Sequence, residues 1–222
     1  MRSLLSLALL VGMTSTAGAQ GVSPLAARLD AVTLQALTPA LEAARRDSLP
    51  VRALEAKALE GSAKQIPGPQ IVRAVERMGG ELREARLLVM SPGGAAPSDE
   101  LVIAATDARR RGVPANEVAA LAHTSAPGGA LLMAMAVLGD LVQRGVPAGN
   151  ALAAVTTILE SGATVEALSD LPARMDIALR VGASPIDALG SATRGRGARP
   201  AQAGPPPAPP GRSDKAPGSR KK

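Results

Sequence analysis

The chain has 222 residues, 46% of them hydrophobic, with no Phe, Tyr, Trp or Cys and a single histidine, His123. Its formal net charge is +6 and its isoelectric point about 10.7. That composition removes the side chains that most often do acid–base or nucleophilic chemistry, stack bases, grip sugars or anchor interfaces, and it leaves no disulfide to stabilise the fold.

The N-terminus opens with Met1-Arg2, an apolar run from Leu4 to Met13, and Ala17-Gly18-Ala19 ahead of Gln20. A charged start, a short apolar stretch and small residues are the pattern of a secretory signal peptide, here residues 1–19. The run is too short to cross a bilayer, which takes about 20 residues. No cysteine follows it, so a lipid-modified cysteine is excluded. A mature protein beginning near Gln20 and released to the periplasm or the exterior is expected.

Residues 20–193 read as an α-helical domain rich in Ala, Leu, Val and Ile. Alanine forms helices with no side-chain entropy cost and lets them approach closely. Ser23-Pro24 has the form of a helix start, with Leu25, Leu29, Val32 and Ala36 at helical spacing, and Pro39 is placed to kink or split that helix. Asp47-Ser48-Leu49-Pro50 starts the next. Ile66-Pro67 starts another, through Ile71, Val75 and Met78, which Gly79-Gly80 weakens. Leu82 to Met90 continue helically until Ser91-Pro92-Gly93-Gly94. Ser98-Asp99-Glu100 opens a helix that reaches Arg109-Arg110-Arg111 and stops at Gly112.

From Gly112 a phrase repeats. Glycine is followed by a small apolar residue, then by proline or a hydroxyl residue, then by a helix that enters on an apolar side chain. The copies are Gly112-Val113-Pro114, Gly145-Val146-Pro147, Gly162-Ala163-Thr164 and Gly182-Ala183-Ser184-Pro185, with Ser48-Leu49-Pro50 and Gln65-Ile66-Pro67 as earlier relatives without the glycine. Glycine ends one helix in the left-handed conformation, the apolar residue tucks back, and proline or the hydroxyl begins the next. The spacing predicts seven to ten short helices in hairpin pairs, as a helical array or as an irregular bundle. No segment alternates as a strand would.

Residues 194–222 change character. Arg194, Arg196, Arg199, Arg212, Lys215, Arg220, Lys221 and Lys222 stand against Asp214 alone, around a run of prolines and glycines. With almost nothing to bury, this tail is expected to be disordered. It carries the basicity, and residues 20–193 sum to about −2.

Leu49-Pro50, Lys57, Glu60-Gly61, Lys64, Ile66-Pro67, Ile71 and Ala74-Val75 together resemble a phrase of uncharacterised exported bacterial proteins. The resemblance covers about residues 49–78. It implies a helical exported protein and attaches no activity, substrate or site residue.

Chemistry-bearing constellations are few. His123 lies near a helix end, where a lone imidazole caps carbonyls or meets the helix dipole. No Gly-x-Ser-x-Gly segment or phosphate-cradling glycine loop occurs. Asp99-Glu100, the adjacent acid pair weighed for acid–base work, falls in a helix's first turn, where acids meet the dipole. Arg73, Glu76, Arg77, Glu81, Arg83, Glu84 and Arg86 form a charged helix face, to be read as ion-paired surface or as a contact for an acidic partner. Arg109-Arg110-Arg111 reads as a dipole-compensating helix end.

The expected role is a non-catalytic exported scaffold or protein-binding module that needs no cofactor or metal. The eight cations from Arg194 to Lys222 are candidate contacts for an anionic envelope polymer or lipid surface. The alternatives are an enzyme relying on carboxylates and a nucleic-acid binder acting through the tail, although the tail lacks aromatic residues for stacking. The protein partner and the oligomeric state are not legible in the sequence.

Overall fold

The protein is described from a computed structural model, which defines residues 24–91, 94–162 and 164–194. Among the described residues the fold is all-α: α1 (Ala31–Arg46), α2 (Val51–Ala63), α3 (Gly68–Val89), α4 (Asp99–Arg110), α5 (Ala115–Ala122), α6 (Gly128–Gln143), α7 (Ala148–Glu160), α8 (Val165–Arg180) and α9 (Pro185–Arg194). The chain divides into two compact units between Gly80 and Glu81.

The first unit holds α1, α2 and the opening half of α3. Its first helix departs from the sequence expectation. Pro24 to Leu29 form a separate turn, and α1 begins at Ala31, where the Asp30 carboxylate accepts the Thr33 N–H at 2.8 Å and the Thr33 hydroxyl at 2.7 Å. That cap fixes the helix's rotation, so Thr33, Leu37, Leu41 and Ala44 face inward, while Val32 and Ala36 are exposed. Pro39 does not split α1, which continues to Arg46. Gly79-Gly80, expected to weaken the third helix, lies within α3 where the two units divide. Around Pro39, buried Leu37 and Leu41 hold α1 together. Each contributes about 1.5–3 kcal/mol of burial, enough to offset the local penalty.

The turn phrase has one geometry wherever it occurs. Gly112, Gly145, Gly162 and Gly182 all have positive φ, and so do Ser48 and Gln65 in the copies without glycine. At the five turns whose residues are all described the full Schellman pair closes. Val113 N–H, for example, donates to Ala108 O at 3.1 Å while Gly112 N–H donates to Arg109 O at 3.0 Å. The apolar residue after the left-handed one is buried at Leu49, Val113 and Val146, and exposed at Ile66. Pro50, Pro114 and Pro147 then take the cap position just before the next helix. Proline keeps the residue ahead of it out of the helical conformation, and its carbonyl accepts an early helix hydrogen bond, as Val118 N–H to Pro114 O.

In the second unit these turns build a stack of three hairpins, α4/α5, α6/α7 and α8/α9. Helices α4, α6 and α8 pack in succession to form one layer, and α5, α7 and α9 form the other. This is the array form of the two architectures expected. Fully buried Leu121, Met135, Leu138, Leu141, Leu168 and Met175 fill it, with alanines such as Ala105 and Ala134 at the close approaches. Gly139 is one such point, since a Cβ there would stand 2.8 Å from Arg111 Cδ and 3.5 Å from the Ala108 backbone.

Candidate cationic cleft between α2 and α3

Seven of the residues that carried the resemblance converge in space. Lys57, Glu60, Gly61 and Lys64 on the last turns of α2, with Ile66, Ile71 and Ala74 on the turn and α3, line a cleft of about 460 Å³ together with Gln70, Arg73 and Arg77. Its floor depends on Gly61. A Cβ at that position would lie 2.8 Å from Ile71 Cγ1, so glycine lets the Ile71 side chain rest directly on the α2 backbone. Gln65, at φ 55°, reverses the chain between the two helices.

Four cations and one carboxylate line this cleft. Glu60 is held between Lys57, at 2.9 Å, and Lys64. The hydrogen bonds from Lys64 and then Lys57 lower its carboxyl to about 2. Those two ammonium groups are therefore committed. Arg73 and Arg77, one helical turn apart on the exposed side of α3, have no ion-pair partner among the described residues. The cleft thus offers two free guanidinium groups beside an aliphatic floor. A second groove, about 660 Å³ between α7 and α9, is lined by uncharged residues such as Ala154, Ile158 and Leu189.

The other sequence candidates stand apart from the cleft. His123 is the exposed C-cap of α5, and its ring has no hydrogen-bond partner among the described residues. Asp99 and Glu100 open α4 behind the Ser98 cap, and Glu100 is lowered by its own backbone N–H and by Ser98. Glu81, expected on an ion-paired face within one helix, pairs instead with Arg110 of α4 at 2.6 Å.

The triplet Arg109-Arg110-Arg111 does more than compensate a dipole. Arg109 donates to Val113 O at 2.6 Å, and Arg111 reaches Asp140 on α6. Arg144 in turn forks onto Asp176 of α8, at 2.8 and 3.2 Å, and donates to Asp140 O. The sequence reading missed this ladder, although the recurrence of an arginine just before Gly112 and Gly145 was its visible trace. Of the eight tail cations, Arg194 is the exposed last residue of α9, and Arg196, Arg199, Arg212, Lys215, Arg220, Lys221 and Lys222 lie outside the described residues.

Among the described residues no group of three or more His, Asp or Glu is placed to hold a metal ion, and no helix is long and apolar enough to cross a membrane. Comparison with protein-family models, curated proteins and solved structures finds no match.

Proposed function

We propose that this protein is a non-catalytic, exported helical scaffold whose α2–α3 cleft binds an acidic, partly aliphatic polypeptide segment. The observation that carries this reading is the pair of uncommitted guanidinium groups, Arg73 and Arg77, beside the Ile71 and Ala74 floor. Guanidinium forks suit carboxylates, and the aliphatic floor suits the methylene stems and neighbours of acidic side chains. A chain without one aromatic residue has no platform for bases or sugar rings, which favours a polypeptide over nucleic acid or glycan. Export rests on the pattern of residues 1–19, and kinship with uncharacterised exported bacterial proteins rests on the phrase that lines the cleft.

Titrating the full chain with a labelled peptide of alternating Glu and Leu tests the cleft. Binding should weaken as salt rises and fall about tenfold or more in Arg73→Glu/Arg77→Glu. Equal affinity in that variant, with its helical circular dichroism intact, refutes the assignment. The tail is a separate contact surface, supported by its eight cations against one acid. Truncation after Thr193 should therefore abolish binding to anionic vesicles and leave peptide binding unchanged.

A further inference from the structure

The last hairpin shifts the charge pattern of the two before it: Asp176 and Arg180 keep the four-residue spacing but stand six and two residues before Gly182. Asp107 and Arg111 stand five and one residues before Gly112, and Asp140 and Arg144 stand five and one before Gly145. At the same places before Gly182 are Ile177 and Val181, which are 63% and 83% exposed. In the inner layers this edge carries the arginines that bind the next layer. At the last hairpin of the described residues it carries exposed aliphatic side chains, where terminal repeats ordinarily present a polar face.

The rest of the α8 outer face says what could cover it. Glu166, Ser169, Asp170, Ala173, Ile177 and Arg180 recur at helical spacing and all are exposed, opposite the buried Leu168, Leu171 and Met175. Along this stripe the acids lie at the N-terminal end, the arginine at the C-terminal end and alanine in the middle. Such a stripe is complementary to itself when reversed. With Ala173 on a two-fold axis, Arg180 of one copy meets Glu166 of the other, and Ile177 falls near Ser169 and Ala173 of the other. Small Ser169 and Ala173 let the two backbones come close. Asp176, on the flank, falls opposite Asp170 of the other copy, and its charge is offset within its own chain by Arg144 and by Arg180.

We propose that α8 is a homodimer interface in which two copies of this chain pair antiparallel about Ala173, an isologous contact of the closed two-fold kind. It is independent of the α2–α3 cleft.

Sedimentation of the full chain over a concentration series tests it, with circular dichroism to confirm folding of every variant. The wild type should sediment as a dimer. Ile177→Glu should raise the dimer dissociation constant about tenfold or more because it buries an unpaired charge at the seam, as should Arg180→Glu or Glu166→Arg alone, each of which places like charges together. The double variant Arg180→Glu/Glu166→Arg restores the pairing with the charges exchanged, and its dimer should return. A wild-type monomer at every concentration overturns the proposal. So does a dimer that these single variants leave intact, or one that the charge exchange fails to restore.

Discussion

Two residues hold the chain in a conformation their side chains disfavour. Ser48 and Gln65 sit at φ 51° and 55°, where Gly112, Gly145, Gly162 and Gly182 stand in the other copies of the turn. A left-handed residue with a Cβ costs about 1–2 kcal/mol, and glycine gives part of that back as unfolded-state entropy. Ser48→Gly and Gln65→Gly should therefore each stabilise the protein by about 0.5–1 kcal/mol, measured by urea unfolding, whereas Gly145→Ala should destabilise it by about 1 kcal/mol. No gain from either glycine would mean that the turns carry no such strain. The turn itself was legible at all six places from the apolar residue and the proline or hydroxyl that follow. The left-handed conformation at Ser48 and Gln65 was not, because neither residue type announces it. The same limit applies to the cleft: its phrase was visible as residue types, but Arg73 and Arg77 looked like ordinary solvated surface until Gly61 let α3 rest on α2.

At the scale of the element, boundaries were decided by contacts distant in sequence. The N-terminus of α1 meets that of α3 at Gly68, where a Cβ would overlap the Thr33 hydroxyl. Thr33 is itself buried and tied to Asp30. Gly68→Ala should then cost about 1–3 kcal/mol through overpacking. Removing the obstacle with Thr33→Ala in the same chain should recover at least about 1 kcal/mol of that loss in a double-mutant cycle, despite the lost cap contact. Strict additivity in thermal unfolding would contradict the steric account. This contact also explains why Ser23-Pro24 misled as a helix start. The Asp30-x-x-Thr33 cap lies further along the chain, and its partner at Gly68 could not be read locally. Pro39 misled as a splitting point for the opposite reason. Its penalty is local and visible, whereas the burial of Leu37 and Leu41 that outweighs it belongs to the packed state.

For the whole molecule, the question is what keeps an aromatic-free stack in register. Small side chains bury little area each, and alanine-lined helices slide past one another more easily than interlocked aromatics would. The alternating chain Arg111–Asp140–Arg144–Asp176 crosses α4, α6 and α8 and ties one defined position of each helix to the next. Asp140 is its central acid, shared by an arginine on each side. All four side chains remain between 28% and 37% exposed, so water screens them and no single pair contributes much. Asp140→Asn strands both arginines and should cost about 1 kcal/mol in low salt, with the difference from wild type shrinking as salt is added. Asp176 adds a pH dependence of known sign. Its fork with Arg144 lowers its folded carboxyl below the unfolded value, so its contribution is fully present above about pH 4 and is lost as pH falls through the folded value. Asp176→Asn should therefore flatten the acid limb of the stability curve and leave the neutral-to-alkaline limb parallel to wild type. An unchanged acid limb, measured by urea midpoints from neutral pH downward, would show that the Arg144–Asp176 fork contributes nothing to stability.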